Sequence, residues 1–411
     1  MTTGTRYARK LSGVERFSMV INEIHRYNVD GLLVGTGTIE TSALRNAVSV
    51  AAQANPGMRV RLRGMLGFCK WVDSGIAPEV FEVQAPHWDF NSDSGADFLK
   101  QPFTPLSGGP IADVYLVRSG DRTGVIFRSL HAAADGRGIM HWGSEVFRAL
   151  RGEPLIGGES TAVDFEVAEQ FRDRCGLDEV KAAKKNAPVY MPVVSPSSTS
   201  DEHLRYIWRT VAIPKRITTI LPRMAVYLAA YARAQNERAQ GPGDSIVGFT
   251  VPVDYRGLRV EANSTGNLTG YLRINVAPED TPKTVMQQIN RQLREYVDCR
   301  MPLLAGPMRW VPVKLLVHQL RKGRDMLLYT QNTELPSGGL VSMGHNDLEA
   351  YSTPTFTCER AAGIPGSVGK LNIVAVNCSN TTYVTFSTPQ NYNRDGQLDR
   401  MIDDFVAEFS Q

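Results

Sequence analysis

Apolar side chains recur along this chain at the spacing of three to four residues that predicts helices, and in short β-branched and aromatic clusters that predict strands. A helix is predicted over residues 41–55, because Thr41 can cap its first turn and Pro56 stops its last. Another helix is predicted over 138–150. Strands are predicted where β-branched and aromatic residues cluster, over 59–71, 111–118 and 124–130. The first half of the chain is therefore expected to be α/β.

The second half uses the same elements. Helices are predicted over 222–238, 281–298 and near the C-terminus, and strands over 245–253, 271–276, 371–377 and 381–387. Between the halves the periodic pattern weakens, as is typical of a connection. We therefore expect an N-terminal lobe over 1–175, a connecting segment over 176–200 and a C-terminal lobe over 201–411.

Composition narrows the class of protein. The chain has 411 residues, of which 42% are hydrophobic and 21% charged, and its net charge is +3, as in an ordinary globular protein. Basic residues form no sustained block, so a nucleic-acid partner is not expected. No apolar stretch has the length of a signal peptide's core or a membrane span, so we expect a cytoplasmic protein without integral membrane association. The 5 cysteines lack metal-ligand spacing, which predicts reduced thiols and no metal site.

The strongest candidate for chemistry is His131. The strand predicted over 124–130 delivers this histidine at its end, and three alanines, Asp135 and Gly136 follow it. Strand ends are where α/β proteins place functional groups, and a neutral imidazole can act as a general base. Small side chains leave space for a substrate, and Gly136 permits a backbone angle that other residues resist. On the residues alone, a structural histidine remains the alternative.

The pattern His131-x-x-x-Asp135-Gly136 resembles the signature of the CoA-dependent acyltransferase superfamily, which includes chloramphenicol acetyltransferase, condensation domains of nonribosomal peptide synthetases and the plant BAHD enzymes. Further segments resemble the family in the same order, namely 11–16, 251–256 and 265–270. The likeness extends over nearly the whole chain. Two departures are Leu130, where many condensation domains have a first histidine, and the absence of the plant D-F-G-W-G motif.

The resemblance implies an α/β fold of two chloramphenicol-acetyltransferase-like lobes, each a mixed sheet with helices, with a tunnel between them. In this arrangement His131 is the catalytic base in the tunnel. Asp135 points away from the tunnel and pairs with two donors of the Arg256 guanidinium, while Gly136 lets the following helix approach closely.

Two residues of the second half are further candidates for the site. The resemblance implies that Asn267 shapes a bend where the second lobe meets the tunnel. Ser342 lies in a segment that resembles the family's second-lobe lining, which makes it a candidate oxyanion donor. An ordinary loop serine is the equally acceptable interpretation of Ser342.

The function implied by the resemblance is that of a freestanding acyltransferase. It would move an acyl group from a CoA or carrier-protein thioester to a hydroxyl or amine of a small-molecule acceptor. No tightly bound cofactor is expected, since acyl-CoA or a phosphopantetheine thioester serves as co-substrate, and an acyl carrier protein is a candidate partner. The contrasting hypothesis is a catalytically silent condensation-like module that binds a carrier protein or another partner. A serine hydrolase is disfavoured because the sequence has no G-x-S-x-G elbow.

Overall fold

The structure is a computed structural model that describes residues 7–175, 190–194, 205–238, 246–300, 310–322, 336–366, 369–393 and 396–411. Its α-helices in these ranges are α1 (Gly13–Asn22), α2 (Thr41–Ala54), α3 (Gly136–Arg151), α4 (Asp164–Glu169), α5 (Ile220–Arg238), α6 (Pro282–Arg294), α7 (Val313–Lys322) and α8 (Gln397–Ser410). The strands are β1 (Ala8–Lys10), β2 (Asn28–Gly37), β3 (Val60–Arg63), β4 (Lys70–Asp73), β5 (Glu79–Gln84), β6 (Ala112–Ser119), β7 (Arg122–Leu130), β8 (Tyr206–Ile213), β9 (Val247–Asp254), β10 (Thr269–Val276), β11 (Gly338–Asn346), β12 (Phe356–Ile364), β13 (Asn372–Cys378) and β14 (Thr381–Pro389).

Two large mixed sheets organise the fold. The first has the strand order β12-β2-β7-β6-β5 and the second β10-β9-β11-β13-β14-β8, while β1, β4 and β3 form a small third sheet. In the first sheet β5 runs parallel to β6, and in the second β11 runs parallel to both neighbours. The remaining pairs in both sheets are antiparallel. The predicted α/β class with mixed sheets and helices is therefore confirmed.

Each large sheet packs one face against helices. In the first core, Phe127 of β7 packs with Leu44 of α2 and Trp142 of α3. In the second core, Phe249 of β9 lies with residues of α5 and α8. Among the described residues, no helix is long and apolar enough to cross a membrane.

The second half of the chain contributes a strand to the first sheet and side chains to the first core. Strand β12 comes from the second half, yet it pairs antiparallel with β2 at the edge of the first sheet. Val374 and Val376 of β13 also belong to the first core, so the open face of the second sheet packs on the first lobe. The division at 176–200 stays a prediction, because most of that segment lies outside the described residues, and it does not anticipate the transfer of β12.

Most predicted elements are present, but two are wrong in extent. The strand predicted over 59–71 is two short strands, β3 and β4, because the chain reverses at Gly64 (φ +89°) and Leu66 (φ +51°). The helix predicted over 281–298 stops at Arg294, and Tyr296 beyond it has a left-handed φ of +52°.

The predicted cap of α2 and the predicted start of α3 also need correction. Thr41 does not cap α2, because its hydroxyl donates a hydrogen bond to Glu82 of β5 instead, and Glu40 stands at the cap position. Helix α3 starts two residues earlier than predicted, at Gly136, because Asp135 caps it. The second correction places the motif around His131 directly at a helix start.

The pairing of β12 with β2 predicts a sharp contrast between two glycines of β2. A Cβ at Gly35 would lie 1.9 Å from the Thr357 carbonyl oxygen of β12, whereas a Cβ at Gly31 would meet only side-chain atoms, Met140 Sδ at 3.4 Å and Ile139 Cγ2 at 3.7 Å. We expect Gly35→Ala to reduce the free energy of unfolding by about 1–3 kcal/mol, the usual cost of overpacking, and Gly31→Ala to change it much less. Urea unfolding of both variants tests this, and equal stabilities would show that β12 does not pack on β2 as described.

Candidate active site

The motif around His131 forms a tight turn between β7 and α3. Leu130 ends β7, and the His131 backbone N–H donates to the Tyr27 carbonyl at 3.1 Å. The three alanines that follow are buried, so only small side chains fit there. Asp135 then caps α3, its Oδ1 accepting a hydrogen bond from the Gly138 N–H at 2.8 Å.

The second carboxylate oxygen of Asp135 joins the turn to the other half of the chain. Oδ2 accepts hydrogen bonds from Arg256 Nη1 at 3.0 Å, the Leu268 N–H at 2.8 Å and Thr269 Oγ1 at 3.0 Å. The predicted contact between Asp135 and Arg256 is therefore present. With the cap bond to Gly138, the carboxylate accepts four hydrogen bonds, which uses the roughly four lone-pair positions it offers.

The guanidinium of Arg256 is shared among several acceptors. Only Nη1 reaches Asp135, and the same nitrogen donates to Asp254 Oδ1 at 2.7 Å. Its Nε donates to the Ser264 carbonyl at 3.0 Å, and Nη2 donates to the Gly266 carbonyl. The predicted two-donor pairing with Asp135 is therefore wrong, because the other donors hold the loop between β9 and β10 together.

Opposing effects act on the charge of Asp135. Burial alone favours the neutral carboxyl group, but the Arg256 guanidinium and the N–H groups of Leu268 and Gly138 outweigh it and hold the pKa of Asp135 below its ordinary value of 3.8. The same contact with Asp135, followed by Asp254, raises the pKa of Arg256 against the effect of burial. The pair is therefore fully charged at neutral pH.

The imidazole of His131 is held differently. Its ring stacks on the ring of Tyr27, with centroids 4.7 Å apart and an interplanar angle of 15°. Asn267 Nδ2 donates to the His131 carbonyl at 3.1 Å, so the second half also fixes the backbone here. Within the described residues, the buried Nδ1 has no partner outside its own residue. Burial lowers the pKa of His131 below 6.5, although its own backbone and Asp135 act in the opposite direction.

Sequence reasoning missed Arg9. This buried residue donates from Nη2 to the Ala133 carbonyl in the turn at 2.9 Å, and it forms an ion pair with Glu15. Glu15 also completes a capping box with Ser12 at the start of α1. Burial, followed by the charge of Glu15, raises the pKa of the neighbouring Asp164 to about 7. The S-x-x-E pattern is a visible signal for the helix start, but not for the contact with the turn.

The role of Gly136 in the structure differs from the predicted one. Gly136 has no unusual backbone angle, since it is the first residue of α3. A Cβ there would lie 3.2 Å from Met343 Sδ of β11, so the close neighbour is a strand of the second sheet. The tightest approach to the helix is at Gly138, where a Cβ would lie 2.3 Å from the Thr265 carbonyl oxygen.

Ser342 lies in β11, opposite Ala375 of β13, and not in a loop. The described contacts bring its neighbour Met343 against the turn at Gly136. They do not bring Ser342 itself to His131, so its part as an oxyanion donor stays a prediction.

Tyr271 of β10 is a further residue near the turn of His131. It points to the same side of β10 as Thr269, whereas Leu272 points into the helix-covered core. Burial raises the pKa of Tyr271, and Tyr27 and then Asp135 are among the nearby groups that add to the effect. The residue is nevertheless 40% exposed. Tyr271 therefore lies near the turn of His131, and its side chain remains in contact with solvent.

The part of the chain that the structure describes shows no metal site. There, no group of three or more His, Cys, Asp or Glu side chains is arranged to hold a metal ion.

Solved structures resemble this chain, although no family model and no curated protein matches it. The starter condensation domain of rhizomide synthetase RzmA, as a double mutant in complex with C8-CoA and Leu-SNAC, is 14% identical, with a TM-score of 0.68 over 98% of this chain and 94% of that chain. The same domain without substitutions is 15% identical, with a TM-score of 0.63 over 98% and 95%.

A second synthetase supplies a further match. The first condensation domain of the calcium-dependent antibiotic synthetase, in complex with a substrate analogue, is 15% identical, with a TM-score of 0.68 over 100% of this chain and 96% of that chain. At such identities the likeness concerns the fold. The chain therefore has the two-lobed fold of these condensation domains.

Proposed function

We propose that this protein is an acyltransferase in which His131 is the general base. The acyl group comes from a CoA or carrier-protein thioester and goes to a hydroxyl or amine of a small-molecule acceptor. The observation that carries the proposal is the state of the His131 imidazole. Its lowered pKa keeps it neutral, and its buried Nδ1 has no partner from another described residue, so Nε2 is the nitrogen proposed to meet a substrate. The RzmA starter domain, crystallised with C8-CoA and Leu-SNAC, supports a thioester donor.

The reaction needs one base and no covalent enzyme intermediate. His131 Nε2 accepts the proton of the acceptor hydroxyl or amine while the acceptor oxygen or nitrogen bonds to the thioester carbonyl carbon. The tetrahedral intermediate collapses by breaking its carbon–sulfur bond, and the leaving thiolate takes the proton from the imidazolium. A positioned base accelerates such a step by roughly 10²- to 10⁴-fold.

The neighbouring residues support the base without taking part in proton transfer. Asp135 is saturated by four donors, one of them from Arg256, so its charge fixes the turn. Asn267 holds the backbone of His131, and Gly136 admits Met343 beside the helix start. Ser342 is retained as the candidate oxyanion donor.

Acyl-CoA or a phosphopantetheine thioester is the co-substrate under this proposal, with no tightly bound cofactor, and an acyl carrier protein is a candidate partner. The competing hypothesis is a catalytically silent condensation-like module. Such a module has no need for a neutral, accessible imidazole, and turnover separates the two hypotheses directly.

The first test is His131→Ala, assayed by thiol release from acyl-CoA and from an acyl carrier in the presence of hydroxyl and amine acceptors. We expect an intact fold and a turnover reduced by about 10²- to 10⁴-fold. His141→Ala is the matched control. His141 lies on α3, away from the turn, and its ring is 3.0 Å from the Gly157 carbonyl oxygen. Wild-type turnover in the His131 variant would refute the assignment of the base, and a wild-type protein inert toward all these donors would favour the silent module.

The pH profile of wild-type turnover provides a second test of His131. The base is active when neutral, so the rate should rise with pH and reach a plateau. The pKa of His131 is lowered by burial, so the inflection should lie below 6.5. Asp135 keeps its charge throughout this range, because its pKa lies below 3.8. An inflection clearly above 6.5 would contradict the described environment of the ring.

The pair of Asp135 and Arg256 should behave as a structural unit. We expect Asp135→Ala and Arg256→Ala each to reduce the free energy of unfolding by about 3–5 kcal/mol, because each removes one partner of a buried ion pair. The double variant should cost less than the sum by roughly 0.5–3 kcal/mol. Arg256→Lys should also destabilise, because an ammonium group cannot reproduce the spread of donors from Nε, Nη1 and Nη2.

Denaturant unfolding measures these effects, and Asp403→Ala serves as the control. Asp403 pairs with Arg209 at 3.0 Å, but its side chain is 64% exposed, so its loss should cost little. Strict additivity of the Asp135 and Arg256 variants would show that the two residues do not interact.

A further inference from the structure

The His131 imidazole has no carboxylate to orient it within the described structure. In a Ser-His-Asp triad a carboxylate holds the ring through Nδ1. Here the carboxylate oxygens of Asp135 are bound to Gly138, Arg256, Leu268 and Thr269. Nδ1 has no partner beyond its own residue in the part of the chain that is described. Hydrogen bonding to a second side chain therefore does not explain how the ring keeps one orientation.

The ring of Tyr27 supplies a contact from another residue that can orient the imidazole. It lies nearly parallel to the imidazole, at 15°, with a centroid distance of 4.7 Å. The backbone reinforces this contact, because the Tyr27 carbonyl accepts the His131 N–H at 3.1 Å. Tyr27 and His131 are thus fixed to each other at both backbone and ring, one residue beyond the pairing of Asn28 with Leu130.

Tyr27 is itself held from other directions. Its N–H donates to Asn22 Oδ1 at 3.3 Å, and the His25 ring meets it edge-on, with centroids 6.4 Å apart. On another side a Cβ at Gly366 would lie 3.1 Å from Tyr27 Cδ2, so the absence of a side chain there leaves room for the ring. A ring restrained in this way can restrain its neighbour.

We propose that Tyr27 is a positioning residue that fixes the plane of the His131 imidazole by stacking, in the place of the carboxylate of a catalytic triad. The inference rests on the proposed function for its kinetic consequence but not for its structural one. The aromatic ring, and not the hydroxyl group, carries the role. Burial raises the pKa of Tyr27 to about 12, so its phenol stays protonated and does not compete for the acceptor's proton.

The test compares Tyr27→Phe, which keeps the ring, with Tyr27→Leu, which removes it at similar size. We expect the Leu variant to lose about 10- to 100-fold in kcat with little change in KM, since misplacement of a reacting group by about 1 Å costs up to this much. The Phe variant should keep kcat within about threefold. Thermal unfolding verifies that both are folded, and Tyr27→Met replaces the Leu variant if that one is not.

NMR of the imidazole provides a readout that does not depend on activity. The chain has 7 histidines, and His131→Ala assigns the His131 signals. In the wild type and the Phe variant, the ring current of the stacked aromatic should displace the His131 ring-proton signals upfield, and in the Leu variant this displacement should disappear. The pKa of His131, read from the same titration, should move towards 6.5 in the Leu variant as the ring becomes more exposed.

Two results would overturn the inference. One is a folded Leu variant with the kcat and the His131 shifts of the wild type, and the other is a Phe variant as impaired as the Leu variant. If the wild type transfers no acyl group, the proposed function fails by itself, and the NMR comparison still decides whether Tyr27 fixes the ring.

Discussion

The carboxylate of Asp135 is the group on which the arrangement of both lobes depends. One oxygen caps the helix that follows the turn, and the other accepts donors from Arg256, Leu268 and Thr269 of the second half. Removing a carboxylate from water costs several kcal/mol, which its donors compensate only when all are in place. The turn that carries His131 is therefore ordered only with the second half docked. A movement of the lobes that separated Asp135 from Arg256 would leave the buried carboxylate of Asp135 without its cation, while Arg256 would keep only Asp254, so we expect the turn and the loop between β9 and β10 to move as one body.

Two other contacts between segments distant in sequence also hold the site in place. Strand β12 completes the sheet of the opposite lobe, and Arg9, from the first strand, donates to Ala133 within the turn. Glu15 neutralises Arg9, and the other oxygen of Glu15 accepts the Ser12 N–H at the cap of α1. The first strand and α1 are therefore linked to the turn through the hydrogen bond from Arg9 to Ala133. Because β12 and the donors to Asp135 Oδ2 come from the second half, the first half is not expected to keep the geometry of the site without the second.

The sequence contains enough to predict the elements that carry the motif, but not what surrounds them. The strand before His131 and the helix after it follow from local patterns, whereas the partnership of Asp135 with Arg256 came only from resemblance, since no periodicity connects residues 121 positions apart. Strand β2 was missed because Gly31, Gly35 and Gly37 interrupt its apolar pattern. These glycines also allow β2 to pair with β12, since at Gly35 the backbone of β12 occupies the space that a side chain would need. The contact of Tyr27 with His131 was invisible for a related reason, because it depends on the register between β2 and β7.

The separation between Asp135 and the imidazole has a chemical consequence. A carboxylate bonded directly to a histidine stabilises the imidazolium and raises its pKa. Here the charge of Asp135 is directed to the backbone and to Arg256, and burial dominates at His131, so its pKa falls. A base with a lower pKa accepts a proton less readily, but a larger fraction of it is neutral near pH 7, and it returns the proton more easily to a departing thiolate. For a reaction in which one imidazole first takes a proton and then gives it back, orientation by an uncharged ring is the better match, because it fixes geometry without shifting the proton balance towards the imidazolium.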